Sequence, residues 1–433
     1  MNKVGVRNWL SLIIAGLVGQ LAWAIENMFL NLYLFEQTQD ASFVPWMVAL
    51  SAAAATITTL FMGALSDRLG KRKAFISFGY IAWGISISLF AFITKDNVSK
   101  LFPTANAIFL TGVFIIILDC IMTFFGSSAN DAAFNAFATD ISTPETSNKI
   151  ESVLAVLPLF AMLIIFGGFS SLAKGPGWIT FFLIFGLLTI LVGVISIFLF
   201  PADQNLVPNK ENYLQKLFYG FKPRVIKANP LLYLTLLSFM VFGIAIQVFM
   251  PYFLIHIQEK LGFVGFDFTI IMAVVLLVAS ILTILIGFFV LKKKSMLYIF
   301  ITLAVTALGL LLMFFARSMV TIIIAGIIFM TGNMVGTTIL GARVRDYTPR
   351  QEVGLFQGIR MIFVVLLPMV IGPFLGQLFY SQTAETYTNE YGNLVKLPNE
   401  YIYLGAMFVL TLAIIPLIFL AKKERKTKNE SAT

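Results

Sequence analysis

The sequence predicts an all-α membrane protein of twelve transmembrane helices, arranged as two pseudo-symmetric six-helix bundles. Three observations carry that expectation. First, 59% of the 433 residues are hydrophobic, only 12% are charged and 44 are Phe, with a mean hydropathy of +0.91. A soluble domain carries about 25% charged residues, and a single water-soluble core stops growing near ~300 residues. Second, the apolar residues fall into about twelve runs, each near the roughly 20 residues that cross a bilayer. Third, Lys and Arg concentrate in alternate connections between those runs. A secreted disulfide scaffold, a disordered chain and an ordinary cytosolic enzyme are excluded, and the lone Cys120 forms no intrachain disulfide.

In chain order the runs are Trp9–Phe35, Phe43–Leu65, Ala74–Thr94, Thr104–Asn130, Ser152–Leu172, Gly177–Phe200, Pro230–His256, Phe268–Leu291, Met296–Ala316, Met319–Leu340, Gly354–Phe379 and Tyr401–Leu420. The first follows Lys3 and Arg7 but is too long for a signal-peptide core, so it reads as a retained helix. Only Arg317 and Ser318 part the ninth run from the tenth. An even number of spans puts both termini on one side. That side carries 23 of the 30 Lys and Arg and the other side 6, with Arg360 inside a run. By the excess of positive charge on the cytoplasmic side, both termini are cytoplasmic in a multi-pass protein of the cell membrane. The net charge of +9 is thus a topology signal and an anionic-lipid contact, and no nucleic-acid partner is expected.

The longest polar connection, residues 201–229, falls near the midpoint. It divides the chain into an N-terminal bundle (1–200), a cytoplasmic central loop, a C-terminal bundle (230–420) and a basic tail (421–433). A faint repeat matches Thr143-Pro144, Ser152 and Gly167-Gly168 to Thr348-Pro349, Gln357 and Gly372-Pro373. Doubled halves are how many transporters are built.

Between the second and third runs stands Gly63-Ala-Leu-Ser-Asp67-Arg68-Leu-Gly70-Lys71-Arg72-Lys73. Its glycines permit a tight turn, and its basic cluster suits a positive-inside hairpin. The spacing closely resembles the signature loop of the major facilitator superfamily, with Gly63, Leu65, Asp67, Arg68, Gly70, Lys71 and Arg72 all matching. The resemblance implies that superfamily's fold and secondary transport, with this loop as a gating latch and Asp67 contacting the eleventh helix. In the second half, Gly287 to Lys294 keeps a Gly and three Lys but lacks the Asp. Asn135-Ala-Phe-Ala-Thr-Asp140 with Thr143-Pro144-Glu145, and Ile117-Leu118-Asp119, are similar to glycoside/cation symporters and sucrose-transporter-like proteins, which carry Arg where this chain has Asn135.

A carboxylate at the bilayer centre costs roughly 2.5–3.5 kcal/mol, which singles out Asp119 and Glu26. On a wheel of about 100° per residue, Gly112, Thr123, Gly126 and Asn130 fall within about 40° of Asp119. Leu110, Phe114, Ile117, Ile121, Phe124 and Phe125 lie opposite, on the lipid side. Asp119 is then either a coupling or substrate group or an acid satisfied by a neighbouring helix. On the first helix Gly16, Gly19, Gln20, Trp23, Glu26, Asn27 and Asn31 share a sector of about 140°. Amides beside an indole suit a polyhydroxylated ligand; interhelical bonding is the other reading of the amides, and an outer interfacial acid that of Glu26. Gln247, Asn333 and Gln357 are cavity candidates in the second half. Arg360 either snorkels to the cytoplasm or pairs with an acid or anion, and His256, the only histidine, is expected to be solvated near the outer end.

No phosphate-cradling loop, metal-ligand cluster or catalytic constellation is recognisable, so neither enzyme nor ATP-driven pump is expected, and no cofactor or metal. The expected activity is alternating-access transport of a small polar solute, sugar or glycoside favoured, by a monomer coupled to H+ or Na+. The alternative is proton-coupled export of drugs or lipophilic metabolites. Against it, the fifth run carries only Gly167-Gly168 where drug antiporters carry a Gly-Pro element. A non-transporting sensor is a further reading.

Overall fold

The computed structural model describes residues 4–143, 146–203, 219–293, 296–349 and 353–432. Twelve helices there are long and apolar enough to cross a membrane. They are α1 (Val6–Thr38), α2 (Ala41–Ser66), α3 (Arg72–Phe92), α4 (Ala107–Asp140), α5 (Lys149–Leu172), α6 (Gly177–Leu199), α7 (Pro230–Lys260), α8 (Gly265–Gly287), α9 (Met296–Phe315), α10 (Met319–Tyr347), α11 (Gly358–Thr383) and α12 (Tyr401–Lys426). Exposed Ile, Leu, Val and Phe side chains such as Phe78, Phe198 and Phe315 stud both halves, as a lipid solvent demands.

The helix ends follow from local chemistry. Asp40 accepts from the Ser42 amide at the start of α2, and Asn106 accepts from the Phe109 amide at the start of α4. Ser318 and Thr321 form a reciprocal capping box, which makes the three-residue break before α10 a true helix start. Arg7 donates from one guanidinium to the carbonyls of Phe198, Leu199 and Phe200, tying α1 to the orphan end of α6.

Two compact units result: Met1–Glu211 with Thr388–Val395, and Asn212–Tyr387 with Lys396–Thr433. In the first, α3 packs on α6, α1 on α5 and α2 on α4. In the second, α9 packs on α12, α7 on α11 and α8 on α10. The same pairing recurs six helices later, so the faint sequence repeat has a structural counterpart. Gly84 and Gly186 let α3 and α6 meet: a Cβ on Gly84 would lie 2.5 Å from the Gly186 carbonyl oxygen. A short hairpin of β1 (Thr386–Thr388) and β2 (Leu394–Lys396) precedes α12. Its tip belongs to the first unit, where Lys95 Nζ sits 3.4 Å over the Tyr391 ring and Asn389 donates to the Gln39 carbonyl. Burial, with Glu390 and Asp96 nearby, raises the Tyr391 phenol above its ordinary value.

Several sequence expectations are corrected. The fourth helix runs to Asp140 rather than Asn130, so Asn135–Asp140 is helical and not a loop. Gly63 lies inside a helix that continues to Leu69, because only Gly70 has the left-handed φ of 60° that makes the turn. The helix of α12 continues through Ala432, so residues 421–432 are helical. His256 is fully buried, not solvated: Nδ1 lies 3.3 Å from the Pro398 carbonyl oxygen and the ring meets Tyr403 edge-on. Pro144, Glu145, Lys294 and the Asp67 and Gln357 side chains lie outside the described residues.

Candidate functional site

The polar residues of the first unit converge on α1 and α4, and both helices widen there. An i→i+5 turn spans Ile25–Phe29 on α1, and another spans Ser127–Phe134 on α4. Such turns are rare and concentrate at functional sites. Glu26 sits in the first and Asn130 in the second.

Glu26 is 7% exposed and Asp119 1% exposed. Thr123 donates to Glu26 Oε1 at 2.9 Å, and the Ser51 hydroxyl bonds to the Asp119 carboxyl. Glu26 Oε2 and Asp119 Oδ1 have no hydrogen-bond partner among the described residues. The Asp119 and Asp131 carboxyls both lie within electrostatic reach of Glu26. An isolated charge here would be costly, and one oxygen of each acid is left without a partner among the described residues.

Beside the acids runs an aromatic and amide network. Trp23 Nε1 donates to Asn130 Oδ1 at 3.2 Å, Asn130 Nδ2 donates to the Tyr80 hydroxyl at 2.7 Å, and that hydroxyl donates to the Ala15 carbonyl at 2.6 Å. The Trp23 and Trp83 rings lie 5.0 Å apart, and Tyr80 meets Trp83 edge-on. Gly126 makes room for Trp83, since a Cβ there would stand 2.6 Å from its ring. Gly19 makes room for the amide: a Cβ there would stand 2.3 Å from Asn130 Nδ2 and 2.7 Å from the Tyr80 hydroxyl.

Of the residues singled out by sequence, Glu26, Trp23, Asn27, Asn31, Asp119, Thr123 and Asn130 come together on α1 and α4. Asn27 and Asn31 differ from expectation in detail. Each donates to a carbonyl of its own helix, Trp23 at 2.8 Å and Asn27 at 2.9 Å, leaving their oxygens as the groups still free. Asn31 Oδ1 is buried without a partner, whereas Asn27 is exposed. Gln20 is half-buried one turn before Trp23. Gln247, Asn333 and Arg360 belong to the second unit, the first two half-buried and Arg360 exposed, and they form no comparable cluster. Gln247 lies against Gly372, where a Cβ would approach it to 2.4 Å.

The signature loop is anchored by Arg72. Its Nε lies 3.2 Å from Asp140 Oδ2, and its guanidinium also donates to the Ser66 hydroxyl. The Lys73 amide donates to the Asp203 carboxylate at 3.2 Å, while Arg68 and Lys71 are exposed. Sequence reasoning missed Asp131, Tyr80 and Trp83. A wheel of constant pitch places Asp131 about 120° from Asp119, and nothing in composition marks the widened turn in which it stands.

Known proteins share this architecture. A family model described as Major Facilitator Superfamily matches residues 12–373. No curated protein matches the sequence. Among solved structures, the nucleoside transporter NupG in mutant form superposes with a TM-score of 0.69 at 12% identity, covering 96% of this chain and 99% of that one. The unmutated NupG gives 0.67 at 12% with the same coverage. A bacterial homologue of the human lysosomal transporter Spinster, inward-facing and unoccupied, gives 0.66 at 15% identity over 96% of both chains. At these identities the likeness concerns the fold. The family match over most of the length, the twelve helices and the doubled packing agree: this chain is a non-enzymatic, multi-pass membrane transporter that belongs to the major facilitator superfamily.

Proposed function

We propose that the protein is a secondary active transporter of a small polar solute, a sugar, glycoside or nucleoside, driven by protons or another cation. The observation that carries this reading is the Glu26–Asp119 pair, buried with one unpartnered oxygen each, next to an indole and amide network. Binding of a cation there removes the penalty of two buried acids and permits alternating access. The half-buried indole of Trp23, backed by the Trp83 ring, suits the flat face of a sugar or base, and the free amide oxygens suit hydroxyl donors. Both termini are read as cytoplasmic, Asp67 as the latch residue, and the working form as a monomer.

The test is a thermal-shift panel of purified protein against sugars, glycosides, nucleosides and lipophilic drugs, followed by uptake of the best stabiliser into proteoliposomes under imposed proton or sodium gradients. Stabilisation by a polyhydroxylated solute and its gradient-driven accumulation are expected. Stabilisation by lipophilic drugs alone, with export as the productive direction, would overturn the reading. A second expected result concerns Gly19. Gly19→Ala pushes Asn130 and Tyr80 apart, so solute affinity should fall about tenfold, the equivalent of 1.4 kcal/mol. Folding, followed by size-exclusion profile, should be retained because the strain falls on side-chain termini.

A further inference from the structure

Asp131 is the acid the sequence pattern overlooks, and three features set it apart. It lies in the widened turn Ser127–Phe134, two helical turns beyond the Thr123 that bonds Glu26, with Ser127 midway between them. It is half-buried, whereas Glu26 is 7% and Asp119 1% exposed, so Asp131 is the most accessible of the three acids. Glu26 lies within electrostatic reach of both the others. Two of the carboxyls are also steadied by a hydroxyl of α4: Ser127 donates to Asp131 Oδ2 at 3.0 Å and Thr123 to Glu26 Oε1 at 2.9 Å.

We propose that Asp131 is the water-facing member of a three-carboxyl relay that passes the coupling proton to Glu26 and on to Asp119. The proposal rests on the reading of Glu26 and Asp119 as the coupling pair. A proton from water forms an O–H bond on the Asp131 carboxylate. That bond breaks as a new O–H forms on Glu26 Oε2, returning Asp131 to its anion, and a second such hop forms O–H on Asp119 Oδ1. Water carries the proton across any gap wider than a hydrogen bond. The other titratable groups facing these acids are Tyr80 of α3 and Cys120 of α4. No Lys, Arg or His among the described residues contributes to their surroundings, so no fixed cation competes with the proton.

The experiment is a rapid pH jump on the full-length protein in nanodiscs, reading the infrared carbonyl band of protonated carboxyls. The signal of interest is the part lost in the Glu26→Gln/Asp119→Asn double variant. Asp131→Asn keeps an acceptor for Ser127, and it should slow the appearance of this band at least tenfold while leaving its final amplitude in place. Asp131→Glu should restore the rate, and added formate should restore it in Asp131→Ala, since a mobile weak acid replaces a relay but not a structural contact. An unchanged rate in Asp131→Asn, or no rescue by formate, overturns the relay while the coupling pair stands. A band that persists undiminished in the double variant overturns the coupling pair itself, and the relay with it.

Discussion

Asp119→Asn is expected to abolish gradient-driven accumulation while leaving solute binding and downhill exchange in place. Asp119 is almost fully buried in α4, and Asn preserves its size and its capacity to bond Ser51 while removing the ionisable oxygen. One pH unit across the membrane supplies about 1.4 kcal/mol per proton, or about tenfold accumulation. Wild-type proteoliposomes should therefore concentrate the solute about tenfold per imposed pH unit. Those carrying Asp119→Asn should stop at the equilibrium level. The pH dependence has a definite sign: wild-type uptake rises as the proton-rich side is acidified, and uptake by the variant does not respond. Accumulation that survives in Asp119→Asn and also in Glu26→Gln would sink the coupling reading.

The largest effect on stability is expected at the other end of the chain. In the second unit Arg343 of α10 and Glu424 of α12 form a buried ion pair, each about one-tenth exposed, with the Tyr347 hydroxyl donating to the same carboxylate oxygen. Removing one partner of such a pair strands the other and costs about 3–5 kcal/mol. Glu424→Leu should thus lower thermal stability sharply. Pairing it with Arg343→Met should recover most of the loss, because no uncompensated charge remains. Thermal unfolding followed by size-exclusion chromatography or intrinsic fluorescence reads both. Equal damage in the single and double variants would show that charge pairing is not what holds α10 to α12.

The spans were legible in the sequence because lipid imposes a coarse rule: about 20 apolar residues, ended by polar or capping groups. The Ser318 capping box shows how little is needed, since three residues suffice to end one helix and start another. Lengths beyond the apolar core were not legible. The fourth helix gains ten residues past Asn130, because its backbone continues wherever neighbouring helices satisfy its side chains. Arg72 and Asp140 do so there, although they are 68 positions apart.

The candidate site divides in the same way. Asp119, Thr123 and Asn130 share a stripe that a simple wheel reveals, and the structure buries all three. Asp131 escapes the wheel because the i→i+5 turn is a local backbone choice stabilised by packing, not by composition. His256 was misjudged for a related reason. Its place near a helix end suggested water, but Pro398 and Tyr403, more than 140 positions away, close over it.

By itself the sequence determined that this chain spans a membrane twelve times, in two related halves, with its few intramembrane acids on α1 and α4. Hydropathy, charge bias and a compact loop signature are properties of short stretches, so they survive without a structure. Only the tertiary structure decided which polar groups meet. It joined Glu26 to Thr123, Trp23 to Asn130 and Ser127 to Asp131. Those outcomes depend on helix phase and on contacts between residues about a hundred positions apart, which no local pattern encodes.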